Sequence, residues 1–107
     1  MVKEVDIQRS ILNWLDSRKV FHWRSNNIAV RNRTFIGLRG VPDIICIIPY
    51  RSCGLFVGIE VKTKTGKQSE YQKEFERRCK EARGCYLVAR SLQDVIDFLT
   101  PMLDNHQ

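Results

Sequence analysis

The 107 residues are enough for one compact domain with a single core, and 43% hydrophobic with 28% charged content is that of an ordinary globular chain. No apolar run approaches the roughly 18 residues of a membrane span, and Met1-Val2-Lys3-Glu4-Val5-Asp6 lacks a signal peptide's apolar region. An intracellular, cytoplasmic protein without a membrane partner is therefore expected. A formal net charge of +6 favours nucleic acid as a partner, because neutralising phosphates releases counterions.

Residues from about Val2 to Lys19 read as a helix, with Ile7, Ile11, Leu12 and Leu15 recurring at helical spacing on one face. Glu4 projects from the N-terminal end of that face. It either compensates the helix dipole in the first turn or reaches a site at the edge of the core. Val20-Phe21-His22-Trp23-Arg24 is rich in aromatic and β-branched residues and reads as a first strand. The following segment, 25–40, is polar, basic and aperiodic, either a long loop or a hairpin. Arg24, Arg31, Arg33 and Arg39 gather here as candidate phosphate contacts.

Val41 to about Pro49 and about Leu55 to Lys62 read as a second and a third strand. They are joined through the turn chemistry of Tyr50-Arg51-Ser52-Cys53-Gly54. A hairpin tip between Arg51 and Ser52 sets Asp43 directly opposite Glu60, on one face, with Lys62 two residues further along that face. A one-residue bulge would break the pairing. Thr63 to Gln68 forms a basic turn containing Gly66, where Lys64 and Lys67 are further candidate nucleic-acid contacts. Ser69 opens a helix to about Arg83, and Ser69-x-x-Gln72 fits a capping box. Tyr71, Phe75, Cys79 and Ala82 are expected on its buried stripe, and Gly84 stands where a helix ends. Cys85 to Ala89 is a fourth strand. Ser91 begins a last helix that packs Leu92, Val95, Ile96 and Leu99 inward and is weakened at its end by Pro101. The order αβββαβα indicates one α/β domain, residues 1–107, with a mixed sheet flanked by helices.

Cys46, Cys53, Cys79 and Cys85 form no C-x-x-C pair and are expected as reduced thiols rather than zinc ligands. His22 in a strand and His106 in the tail are poor candidates for a base or a ligand.

Two carboxylates and a lysine among Ile44, Ile45, Ile47, Ile48 and Ile59 stand out, because buried charge costs several kcal/mol unless it is partnered. Each has an ordinary alternative: Asp43 as a solvent-facing residue where a strand begins, and Glu60 with Lys62 as an exposed pair. Together, two carboxylates on one face would repel without a cation. Mg²⁺ takes one or two carboxylates with other oxygen ligands, and a strand carbonyl such as that of Val61 completes the set. Lys62 beside them is placed to orient a water or to stabilise charge on a phosphate. That inventory points to metal-assisted phosphodiester hydrolysis.

Pro42-Asp43 with Glu60-Val61-Lys62 resembles the PD-(D/E)XK nuclease motif. With Glu4, Gly40-Val41-Pro42-Asp43, Gly66 and Gln72 in order along the chain, the wider pattern is similar to the VRR-NUC family of virus-type replication–repair nucleases. The resemblance implies a restriction-endonuclease-like core and Mg²⁺-dependent cleavage of DNA, with Mn²⁺ substituting. It implies Asp43, Glu60 and the Val61 carbonyl as metal ligands, Lys62 as the catalytic lysine, and Glu4 and Gln72 as supporting catalytic residues. For Gln72 the capping box remains a competing role. The resemblance further implies a stand-alone homodimer acting on branched DNA such as a Holliday junction. A restriction-like nuclease reading duplex sequence and a basic nucleic-acid-binding module without turnover are the alternatives.

Overall fold

The structure is a computed structural model in which residues 2–25 and 38–105 are described; Arg31, Arg33 and His106 lie outside them. Three helices and four strands follow the expected order. They are α1 (Glu4–Ser17), β1 (Phe21–Arg24), β2 (Ile44–Tyr50), β3 (Cys53–Val61), α2 (Glu70–Glu81), β4 (Cys85–Ala89) and α3 (Leu92–Asn105). The strands form one mixed sheet in the order β1-β2-β3-β4, antiparallel except for the parallel β3–β4 pair joined by α2.

The core lies on one sheet face. Ile7, Ile11 and Leu15 of α1, spaced by one helical turn, and Val95 and Leu99 of α3 meet Ile44, Cys46 and Ile48 of β2 and Val57, Ile59 and Val61 of β3. The alternate residues point the other way, so Ile45, Ile47, Phe56, Gly58 and Glu60 share the opposite face. There α2 covers the β3–β4 half, with Phe75 stacked against Phe56 and Tyr86 at ring-centroid distances of 6.4 and 6.2 Å.

The β2–β3 register runs unbroken from Tyr50 opposite Cys53 to Ile44 opposite Ile59. The loop is the expected Arg51-Ser52, with Arg51 at φ 56°, the positive value that primed hairpin turns require. The ladder ends at Ile44 rather than at Val41. Pro42 has no N–H to donate, its carbonyl accepts the Ser25 hydroxyl, and the Asp43 carbonyl accepts the Ser25 N–H at 2.9 Å.

Two expectations about helices need correction. Along α2, Phe75 and Cys79 are half-buried, but Tyr71 and Ala82 are exposed, because the sheet reaches only the middle of the helix. Pro101 lies inside α3 rather than at its end, and the helix runs through it to Asn105. Met102 and Leu103 beyond it pack against the core, and that burial offsets the missing backbone hydrogen bond. The four cysteines are free thiols.

Candidate active site

Where the β2–β3 ladder ends, side chains replace backbone. The Val61 N–H, which would otherwise seek a β2 carbonyl, donates instead to Asp43 Oδ2 at 2.7 Å. This bond fixes Asp43 against the end of β3. Within a strand a residue's N–H and C=O point to the same side, so the Val61 carbonyl faces that edge as well.

Continuing the register by one residue brings Glu60 opposite Asp43, on the face that α2 partly covers. Glu60 is 2% exposed, the one buried charged residue among the described residues. Its Oε2 accepts from Gln72 Nε2 at 2.7 Å and lies 3.8 Å from Lys62 Nζ. Its Oε1 is buried and accepts no hydrogen bond from a neighbouring donor. A bare carboxylate oxygen in such a place is costly, and the group responds by holding its proton. Burial, then the neighbouring Asp43 by charge and by hydrogen bonding, push the Glu60 pKa up to about 8, with Lys62 opposing and Glu4 adding a smaller push.

Lys62 continues the same face, its side chain 14% exposed. Its N–H donates to Ala89 O at 3.0 Å, which anchors the backbone to β4 just past the end of β3. The lysine stem passes beside Gly66, where an added Cβ would sit 3.5 Å from Lys62 Cδ.

Gln72 serves two purposes at once. Its Oε1 accepts the Ser69 N–H at 2.8 Å, and its own N–H donates to Ser69 Oγ at 3.1 Å, completing the capping box. The nitrogen of the same carboxamide is the one that holds Glu60. The two roles therefore do not compete.

The glycine of Gly40-Val41-Pro42-Asp43 has a double constraint. At φ 78° it occupies the left-handed region, and a Cβ there would overlap the Tyr71 carbonyl and lie 2.8 Å from Gln72 N. The segment that delivers Asp43 thus packs backbone to backbone against the first turn of α2, which delivers Gln72. Arg39 adds to this clamp, its guanidinium 4.9 Å from the Tyr71 ring centre and its Nη1 donating to the Tyr71 hydroxyl at 3.0 Å.

The remaining candidates separate. Glu4 is exposed at the start of α1 and reaches the site only through its charge on Glu60. Among the described residues no three His, Cys, Asp or Glu side chains converge as a metal cluster. Arg24, Lys64 and Lys67 are exposed. Arg39, also exposed, packs its guanidinium over Tyr71 of α2. His22 faces away from Asp43, with Nδ1 2.8 Å from the Val20 carbonyl and Nε2 3.4 Å from Asp16.

Two residues that the sequence reading passed over support the site. Arg90 Nη1 gathers the carbonyls of Thr63, Lys64 and Gly66 at 2.6, 3.3 and 2.7 Å, tying the turn after Lys62 to the start of α3. Tyr86 lies buried on β4 near Glu60, its hydroxyl 3.5 Å from Gln68 Nε2; burial first, then the Glu60 charge, raises its pKa. An arginine just after a strand and a strand tyrosine carry no local signal of these partners.

The donor set suits a hard divalent cation. Asp43, Glu60 and the Val61 carbonyl present oxygen only, and the orphaned Glu60 Oε1 is an acceptor that a cation would satisfy, as a proton or a water would.

No family model matches the sequence, and no curated protein matches it. Solved structures match by shape. A structure described as "VRR_NUC domain protein" aligns over 100% of this chain and 93% of its own at a TM-score of 0.77 and 22% identity. A second, described as "VRR_NUC domain", covers 94% of this chain and 97% of its own at a TM-score of 0.64 and 20% identity. With its four-stranded mixed sheet flanked by helices, the chain has the restriction-endonuclease-like fold of the VRR_NUC domain structures.

Proposed function

We propose that this protein is a VRR-NUC-type nuclease that hydrolyses DNA phosphodiester bonds with the help of a divalent cation. One observation carries the reading: the buried Glu60, with an orphaned oxygen, is held by Gln72 beside Asp43 and Lys62 at a single point on the sheet. Asp43, Glu60 and the Val61 carbonyl would hold Mg²⁺, with Mn²⁺ in its place. The cation supplies Lewis acidity at the scissile phosphate and at the attacking water.

The chain's own groups do the rest. Lys62, a cation 3.8 Å from Glu60, stabilises the charge that builds on the phosphate and orients the water. Gln72 holds Glu60 through Oε2, leaving Oε1 without a donor of its own. Glu60 must release its proton before it can act as a ligand, so cation binding and proton release are coupled. Glu4 contributes negative charge from the rim. The net charge of +6 supports a polyanionic substrate.

Branched DNA is the substrate class we favour, and the protein then acts as a homodimer. Resolving a four-way junction requires two coordinated cuts, and a two-fold pair of chains supplies two sites.

The reading is tested by incubating the protein with linear, flapped and four-way-junction DNA in Mg²⁺ or Mn²⁺, alongside native mass measurement. Cleavage is expected in wild type and a loss of at least a hundredfold in Asp43→Ala, Glu60→Ala and Lys62→Ala, with DNA binding retained. Full activity in an Asp43→Ala, Glu60→Ala double variant would falsify it.

A further inference from the structure

The sheet face that carries Asp43 and Glu60 is only half covered by α2. Beyond the helix, two aromatic side chains of β1 stand exposed on it. Phe21 is 68% and Trp23 43% exposed, although both belong to a strand. Their rings pack together with centroids 5.5 Å apart and planes tilted by 51°. An aromatic pair raised above an otherwise buried β2 costs solvation free energy unless something covers its π faces.

Register relates this pair to the site. Phe21 lies opposite Ile47 and Trp23 opposite Ile45. Asp43 is two residues before Ile45, so it follows Ile47 and Ile45 on the same row. Trp23 is then the diagonal neighbour of Asp43, about 7–8 Å away backbone to backbone, and Phe21 continues the row outward. Arg24 alternates to the other face, and Ser25, next on this row, is held to Asp43 and Pro42.

We propose that Phe21 and Trp23 form a stacking platform for unpaired nucleobases of the strand whose backbone enters the site. The proposal rests on the nuclease reading and adds what the site recognises: bases that are free to unstack, as at a junction, flap or single-stranded end. Three observations favour this occupant. The aromatic row runs directly into the carboxylates. The chain is basic, matching an anionic partner with flat apolar faces. Aromatic residues beside a positive track are the means by which proteins hold single strands irrespective of sequence.

The test measures binding without turnover, in the absence of divalent cation. A Trp14→Phe background leaves Trp23 as the single tryptophan and reports stacking by fluorescence quenching. Short oligo(dT) is compared with an abasic oligomer of equal length and charge. Oligo(dT) is expected to quench Trp23 and to bind about tenfold more tightly than the abasic strand. In the intact chain, Trp23→Ala removes that preference without changing abasic binding, Phe21→Ala reduces it, and Trp23→Phe largely restores it. Thermal unfolding and sedimentation of each variant accompany the titrations. Equal affinity of wild type for the two strands overturns the proposal. So does a Trp23→Ala variant that keeps its base preference but turns a dimer into monomers, because the patch is then covered by a second copy of the chain. A base-dependent quench without cleavage in Mg²⁺ keeps the platform and removes the nuclease reading; cleavage without base preference does the reverse.

Discussion

Gln72 and Glu60 are joined by a 2.7 Å hydrogen bond from a helix-capping side chain to a buried carboxylate. One amide thereby couples the folding of α2 to the geometry of the site. The two ends of that amide are separable by substitution. Gln72→Glu keeps an acceptor for the Ser69 N–H, so helix stability is retained. It replaces the donor to Glu60 by a second negative charge, and cleavage falls more than tenfold. Gln72→Ala loses both functions, costing about 0.5–1 kcal/mol of stability as well as activity. Urea unfolding and cleavage rates measured on the same preparations distinguish the two. Equal loss of stability in both variants would show that the cap acceptor is not the relevant bond.

Glu60 imposes a pH dependence on the cation-free protein. Its folded pKa of about 8 lies above the ordinary 4.5, so between those values the folded state keeps a proton that the unfolded chain has shed. Stability is therefore greatest below pH 4.5 as far as this group is concerned, declines as pH rises through the window, and levels off above about 8. Glu60→Gln removes that slope. On the proposed function Mg²⁺ would take the ionised form, and it is then expected to stabilise wild type most at the alkaline end. Urea unfolding across this range, with and without Mg²⁺, measures the slope; identical slopes in wild type and Glu60→Gln would contradict the assignment.

Gly40→Ala is expected to be severe for a residue outside every helix and strand. It forces a side chain into the left-handed region and into the backbone of Tyr71 and Gln72. The cost is about 2 kcal/mol or more, seen as a lower urea midpoint with an unchanged m-value. Displacing the first turn of α2 also moves Gln72 off Glu60, so the surviving folded fraction cleaves poorly. Gly66→Ala, whose nearest neighbour would be the Thr63 hydroxyl at 3.3 Å, serves as the mild comparison.

Arg90→Ala separates lysine placement from cation binding. Three carbonyls of the turn after Lys62 lose their common donor, while Asp43, Glu60 and Val61 keep theirs. The turn is exposed, so the stability loss is about 1 kcal/mol. The turnover rate falls while the Mg²⁺ dissociation constant stays near that of wild type. Arg90→Lys recovers part of the rate, since a single ammonium keeps the charge without the planar fork. A parallel loss of Mg²⁺ affinity would place Arg90's influence on the carboxylates instead.

The architecture and the heart of the site were readable from residue order because both are set by short-range rules. The apolar run from Ile44 to Ile48 and the alternation from Val57 to Val61 mark strands, and the Arg51-Ser52 tip then fixes their register, so the placement of Asp43 beside Glu60 followed from turn chemistry. Ser69-x-x-Gln72 announced the cap for the same reason. What residue order did not determine is what each helix face meets. Tyr71 and Ala82 fit a buried stripe by periodicity, yet the sheet beneath α2 is narrower than the helix, and Tyr71 found Arg39 instead. Pro101 reads as a helix end, but the core holds the turns on both sides of it. The grip of Arg90 on the 63–66 turn and the meeting of Gln72 with Glu60 depend on elements brought together by the fold. Periodicity records how apolar each face is, whereas only tertiary packing decides which groups lie opposite it and at what distance.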